Sequence, residues 1–561
     1  MDADRLKEVI ALGESLCWEF KSDRRKLSDS EIYEEIVAMA NTEGGILFIG
    51  VEDDGTISGA QPRHNGMTDP IRLQSAIFNN TSPNINTRIS VPEDAGRKVI
   101  VIEVDIYPEI CATQQGKCVR RVIGSDGKPA TVPFLPCDQR SRRVDLGLID
   151  FSAQLMEGAS FESFDPLEFE RLRQAITRLR GDQGLKELSD EEIGKALQLV
   201  ETRNGRLVPN VAGLLLLGRE EVIRKLLPTH EVHFQVLDTQ GDVKVNDVFH
   251  RPLLHVLSEV ESRFAARNEE REVMVGMIRV PVPDYSPAGF REALSNALLH
   301  RDYTRLDAVY VQWQPDHLLI TSPGGFPVGI SPDNLLVHEP KPKNPRLAAA
   351  CRRIGVVEQT GRGVDKIYMG QLRYGRPVPD YSRSDPTGVR VTIRGGKPSL
   401  DFSAFVFEQE EQGKRLELDD LLILNALFHE RRIDAGHASS LIQKGMSETK
   451  SALERLVERG LTESRGERLR TYHLSAMVYK RFNMEAEYIR VKGFEPHQHE
   501  QMVLDYVKKM GRITRSEAAE MCHLSGYQAS RLLRRMAGKY SEFQMVGKRK
   551  GAHYIWSEPG P

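Results

Sequence analysis

The sequence predicts a multidomain chain of mixed α/β and α+β architecture. Three observations lead there. Its 561 residues are too many for one hydrophobic core. Up to about residue 400, apolar strand runs alternate with amphipathic helices. Beyond that, two stretches repeat one order of elements (helix, short helix, turn, helix, two short strands) without close sequence similarity.

Residues 1–145 mix helix and strand. EIYEEIVAMANTEGG (31–45) has helical periodicity ending at a glycine pair, ILFIGVEDDGTISG (46–59) runs from an apolar strand into a polar turn, and RKVIVIEVDI (97–106) reads as a buried strand. Residues 146–285 form a helical and α+β connecting region, with the helix DPLEFERLRQAITRLRGD (165–182) and the apolar run VAGLLLLG (211–218). A second α/β segment, 286–400, carries the helix EALSNALLHRDY (292–303), alternating strands in VYVQW and LLITS, and Gly-Pro clusters that mark loops. FEQEEQGKR makes 401–417 the expected linker to the two C-terminal segments, 418–480 and 495–561.

Charge is balanced, with 77 Lys plus Arg against 80 Asp plus Glu, so affinity for nucleic acid has to come from local basic patches. The charged start MDADRLKEVI and the lack of any 18-residue apolar run predict neither signal peptide nor membrane span, hence a cytoplasmic protein. Cys17, Cys111, Cys118, Cys137, Cys351 and Cys522 lack the close spacing of zinc sites or disulfide frameworks and read as reduced, mostly buried thiols. Lone histidines such as His437 and His553 read as surface or core residues.

Glu292, Asn296 and His300 are each four apart, so on a helix they form one stripe. A magnesium ion on nucleotide phosphates takes oxygen ligands readily, and an Asn carbonyl aimed from a helix completes such a shell. A Glu one turn earlier can orient or deprotonate an attacking water. The plainer alternative is hydrogen bonding of Glu292 and Asn296 to neighbouring backbone. This stretch resembles the N-box of the GHKL ATPases, the superfamily of gyrase, histidine kinases and mismatch-repair ATPases. SPGG (322–325) and TGRGVDKI (360–367) stand where that family has its two glycine boxes, an order similar to a divergent branch found in bacterial regulators.

The resemblance implies a GHKL-like α/β sandwich that binds ATP with magnesium. Glu292 would be the ATPase base and Asn296 the magnesium ligand, with His300 supporting the helix end. Gly324, Gly325, Gly361, Arg362 and Gly363 would form the nucleotide loops, where glycines let backbone amides approach phosphate and a helix N-terminus favours negative charge. The family's Asp that reads the adenine amino group is replaced here by Ser322 and Pro323, which leaves adenine specificity and hydrolysis open. No GxxxxGK[ST] element occurs.

At the N-terminus, GESLCWEFK (13–21), the Asn41–Gly45 turn, GGILFIGVEDDGTISG (44–59) and VRRVIGSDGKPA (119–130) resemble the AlbA_2 domain related to the Schlafen core. Some Schlafen relatives use clustered carboxylates as a metal-dependent nuclease centre, and Glu14, Glu19 and Asp53 correspond by position, with Lys21 close by. The same residues also read as the wet face of a strand and an ordinary Asp-Asp-Gly turn. For binding without cleavage, Arg120, Arg121, Arg140, Arg142 and Arg143 are the candidate phosphate contacts.

In the last segment, SGYQASRLLRRM (525–536) has the composition of a recognition helix, with Arg531, Arg534 and Arg535 on exposed sides and Leu532, Leu533 and Met536 facing a core. GKRKGAHY (547–554) puts Lys548, Arg549 and Lys550 at a hairpin tip. SETKSALERLVERG (447–460), in the segment before it, is more mixed in charge, with Arg465, Arg468 and Arg470 in its hairpin. Both segments resemble winged helix-turn-helix domains, which also serve as protein docking modules. The combined expectation is an ATP-binding, DNA-binding regulator, transcriptional or phage-defence related and dimeric, with RNA as the alternative ligand. Two other readings compete: a nucleotide-gated Schlafen-like nuclease, and a DNA-bound scaffold with a vestigial nucleotide site.

Overall fold

The computed structural model describes residues 3–11, 13–124, 127–275, 278–357, 363–395, 399–466, 470–482, 496–522, 526–547 and 552–557. The chain divides into two units. The first comprises Met1–Glu270, Pro283–Gln371 and Val378–Gly396, and the second the intervening short pieces with Lys397–Pro561.

The first unit begins with a four-stranded sheet of β1 (Trp18–Lys21), β2 (Gly45–Ile49), β3 (Thr87–Ser90) and β4 (Ile100–Val104). Its order is β1-β2-β4-β3, with β1 parallel to β2 and the other pairs antiparallel. Helix α1 (Asp29–Ala40) is capped by Ser28 and Glu31 in a reciprocal box and buries Ile32, Ile36 and Val37 against this sheet. Asn41 then fixes the turn, donating to the carbonyls of Cys111 and Val119 and accepting from the Cys111 amide. The antiparallel pair β5 (Val119–Ile123) and β6 (Pro129–Pro133) leads into α2 (Pro136–Asp145).

After α3 (Pro166–Leu179), a five-stranded sheet assembles β7 (Val232–Leu237), β8 (Val243–Phe249), β9 (Val309–Trp313), β10 (His317–Pro323) and β11 (Gly388–Arg394), in the order β8-β7-β9-β10-β11. Strand β7 pairs parallel with β9, Val232 opposite Val309. The α/β segment expected at 286–400 therefore draws two strands from the stretch read as connecting region. Helices α4 (Leu253–Ala265) and α5 (Pro287–Leu299) cover this sheet, with Phe264 stacked on Phe290 at 3.9 Å and Tyr285 edge-on to Trp313. Helix α6 (Pro345–Ile354) packs against α3, and α7 (Gly363–Leu372) lies beside α5, where Gly289 approaches Lys366 and Ile367.

In the second unit the expected linker 401–417 is largely a helix, Leu400–Glu411. Its charge run misleads because Phe402 and Phe405 point the other way and join Phe428 and Phe482 in an aromatic cluster, while Glu408 and Glu410 pair with Arg481 and Arg373. Helices α8 (Leu418–Glu430), α9 (Ala435–Ile442) and α10 (Met446–Glu458) follow, with a sheet of β12 (Ile433–Asp434), β13 (Thr462–Arg465) and β14 (Thr471–Leu474). The last segment repeats this with α11 (Pro496–Met510), α12 (Arg515–Met521), α13 (Gly526–Lys539) and strands β15 (Arg512–Thr514), β16 (Phe543–Val546) and β17 (His553–Trp556). Both small sheets place the last strand in the centre. Among the described residues, all six cysteines are free, with Cys111, Cys351 and Cys522 buried and Cys137 exposed, and no helix is long and apolar enough to cross a membrane.

Candidate nucleotide pocket and nucleic-acid faces

Helix α5 starts where Ser286 accepts from the Gly289 amide with Pro287 at the first helical position, and ends where the His300 amide donates to Asn296. One flank of this helix lines a cavity of about 200 Å3 with Glu292, Asn296 and His300. Strand residues Ile320, Val389 and Val391, the aromatic rings of Phe326 and Tyr381, and the Lys341 side chain line the rest together with Gly363 and Val364 at the start of α7. The expected stripe therefore faces one pocket with the second glycine element.

The side-chain amide of half-buried Asn296 makes no hydrogen bond among the described residues, and neither does the His300 ring. Burial, and after it the charge of Lys343, push the His300 pKa down to about 4, so its ring is neutral at physiological pH. Glu292 is 9% exposed. A side-chain carbon added at Gly363 would lie 2.0 Å from its Oε1, so only glycine lets the start of α7 approach that carboxylate. Burial, with the Tyr368 and Glu292 charges, raises the Tyr381 hydroxyl above its ordinary value.

Gly324 has φ +86°, and a side-chain carbon there would meet Asp302 at 2.6 Å and Lys343 Nζ at 3.0 Å. Gly325 packs against Pro386. Ser322 also lines the cavity, and its hydroxyl donates to the Ala297 carbonyl at 2.6 Å and ties β10 to α5. Gly361 and Arg362 lie outside the described residues, as do Lys548, Arg549, Lys550 and Arg468.

Sequence reasoning missed what holds this pocket. Arg301 is fully buried and donates to the backbone carbonyls of Thr229, Glu231 and Asp307, and Tyr303 donates to that of Leu298. Asn344 donates to the carbonyls of Leu299 and Arg301, fastening the end of α5 to the start of α6. Lys343, 2% exposed, pairs with Asp145 of α2 at 2.7 Å, and Ser141 of α2 donates to Asp302. Burial works to raise the Asp302 pKa, but the Ser141 and Thr304 hydrogen bonds outweigh it and hold the carboxyl below its usual range. The run KPKNP (341–345), two lysines and an Asn ahead of a helix-starting Pro, was the visible signal.

The N-terminal module corrects several expectations. Arg121 is 2% exposed and spends its guanidinium on the Ser15 and Leu16 carbonyls and on Glu19 at 2.6 Å. Arg120 pairs with Asp138 and lies over Phe134, and Arg142 donates to the Thr42 carbonyl. Strand β5 packs against α1 and buries Arg121, while Arg120 and Arg142 stay partly exposed and are tied by these bonds. Arg140 and Arg143 are exposed and make no hydrogen bond or ion pair among the described residues.

Glu19 also pairs with Lys21, which bridges to Glu35. Burial works to lower the Lys21 pKa, but Glu35 and Glu19 raise it on balance. Glu14 accepts from the Phe20 amide, and burial, reinforced by Glu19 and Asp53, raises its pKa. Glu14, Glu19 and Asp53 are thus neighbours, yet among the described residues no group of three His, Cys, Asp or Glu is arranged to hold a metal ion. The Arg121 pair takes the carboxylate that a metal would need.

In the last segment, Leu532, Leu533 and Met536 are buried as expected, and Arg531 and Arg534 are exposed without a hydrogen bond or ion pair among the described residues. Arg535 is drawn back to Glu500 at 3.1 Å, so it is not the free phosphate contact the sequence suggested.

Comparison with known proteins bears on both ends of the first unit. Residues 14–130 match the family model described as Schlafen, AlbA_2. Residues 307–393, β9 to β11 of the pocket module, match HATPase_c_4, described as "Putative ATP-dependent DNA helicase recG C-terminal". Between them, residues 145–233 match a domain of unknown function, DUF8451. A search of curated proteins found no match. Among solved structures, the DIP2311 protein from Corynebacterium diphtheriae is similar over 86% of this chain and 98% of its own, at 21% identity and TM-score 0.50, a likeness of fold. The N-terminal domain of a RecG-related protein from Nitrosomonas europaea aligns over 18% of this chain and 71% of its own, at 22% identity and TM-score 0.14.

Proposed function

We propose that this chain is an ATP-binding, nucleic-acid-binding regulator in which nucleotide at the α5 pocket alters engagement of DNA. The observation that carries the nucleotide half is Asn296: a partly buried amide with no partner among the described residues, one turn from Glu292, in a cavity shared with the N-terminus of α7. The residues fit a magnesium nucleotide. Asn296 would hold the ion by its carbonyl oxygen, the glycine-begun α7 would receive phosphate, and Lys341 would add a positive charge. Bound magnesium supplies neutralisation of phosphate charge. Glu292 would orient a water or take its proton, and the apolar wall of Ile320, Val389 and Val391 excludes bulk solvent.

The nucleic-acid half rests on Arg531 and Arg534 in the last segment and on Arg140 and Arg143 beside the AlbA_2-like module. Both C-terminal segments have the element order of winged helices, and in the second the exposed arginines stand on the helix that would enter a groove. Two copies of the chain would suit two half-sites. Coupling runs through Lys343, which faces both His300 and Asp145, and through the Ser141–Asp302 bond, so the pocket and α2 share one buried polar cluster. Transcriptional control or phage defence are the settings such a switch would serve.

The test is calorimetry of the full chain with ATP and magnesium. Wild type should bind, and Asn296→Ala should lose most of the affinity. No binding by folded wild type would leave the pocket without a nucleotide role.

A further inference from the structure

A second cavity, of about 130 Å3, opens against another flank of α5 and is lined by α3, α4, α5 and Val356. Arg291 and Ser295 face it, one residue before Glu292 and Asn296 and so about 100° around the same helix. Its charged lining residues are Arg171, Arg178, Arg291 and Glu261. Arg291 is held by Glu261 and Arg171 by Glu168. Arg178 is exposed and has no hydrogen bond or ion pair among the described residues. Ser295 is 2% exposed, and its hydroxyl has no hydrogen-bond partner.

A buried hydroxyl in a helix ordinarily bonds back to a carbonyl one turn earlier, and native structures leave few such groups unpaired. Here the unpaired hydroxyl adjoins a cavity with a free guanidinium at its rim and apolar walls of Leu179, Leu254 and Leu257. We infer that this cavity is a second ligand site, for a small oxyanion, a phosphate or carboxylate group on a compact and partly apolar body. Arg178 binds the charge and Ser295 donates its hydroxyl to an anion oxygen. Arg291 and Arg171 are neutralised by Glu261 and Glu168, so the net positive charge of the site is that of Arg178. The site stands independently of the nucleotide reading.

Binding of inorganic phosphate and, separately, succinate to the full chain at constant ionic strength tests this by calorimetry. The expected result is that at least one anion binds wild type and Asn296→Ala alike, with Kd raised about tenfold or more in Arg178→Glu and also raised in Ser295→Val. The preferred anion then tells a phosphoryl ligand from a carboxylate one. Binding of neither anion to wild type would overturn the inference, as would unchanged binding in Arg178→Glu. Loss of binding in Asn296→Ala alone would also overturn it, by placing the anion in the first pocket. Arg178 lies at the surface, so its variant should fold as wild type.

Discussion

In both C-terminal segments three helices lead into a hairpin, and a short strand ahead of the second helix joins the sheet beside the last strand. The third helix is α10 in one and α13 in the other, and they spend their charge differently. On α10, Arg455 and, just past its end, Arg459 turn onto Asp420, whose side chain is fully buried, at 2.8 and 3.2 Å. Its exposed side carries Glu448, Lys450, Glu454 and Glu458. On α13, Arg531 and Arg534 stand free in solvent. Both third helices thus anchor two basic residues on a buried acid of the first helix, Asp420 in one and Glu500 in the other, and α13 alone adds two exposed arginines available to a polyanion. Element order sets where a helix sits, and the partners of its charged side chains set what it can bind.

The largest effect should follow from breaking the first pattern. Asp420→Ala removes the acceptor for two guanidiniums and half of the cap around Glu417, and should cost about 1.5–3 kcal/mol in denaturant unfolding of the 418–480 segment. The equivalent acid in the other segment is Glu500, which is also buried and holds Arg535 and Lys539 but neither Arg531 nor Arg534. Next, Arg531→Ala with Arg534→Ala should leave stability alone and weaken DNA binding on the order of tenfold, with the slope of log K against log salt reduced by about 2. An unchanged slope would move DNA recognition away from α13.

Glu500→Gln sharpens the contrast from the opposite side. It frees Arg535 and Lys539, so DNA affinity should rise modestly and the salt slope should steepen by about 1. Smallest is Lys450→Ala, the single exposed base among three acids on α10, for which anisotropy should give no change in affinity or slope.

The same accounting explains what could be read in advance. Glu292, Asn296 and His300 were legible because a four-residue spacing fixes a helix face whatever the surroundings. Strands 309–313 and 317–323 were legible because alternation is local. The joining of strand 232–237 to 309–313 was not, since parallel pairing leaves no local mark and depends on a contact across more than seventy residues. Arg121 and Arg534 look alike in sequence. One is consumed by a glutamate 102 residues away and the other is not, and only the fold tells them apart. The 401–417 stretch misled because EQEEQ outweighed Phe402 and Phe405, whose i, i+3 spacing was the better guide.

The central claim couples two ligands, so the most direct measurement is a DNA titration under both nucleotide conditions. Anisotropy of a labelled duplex with the full chain, in magnesium with and without ATP, should show a shifted Kd for wild type and no shift for Asn296→Ala. An identical Kd in wild type, with ATP bound by calorimetry in the same buffer, would contradict nucleotide control and leave two independent binding activities on one chain.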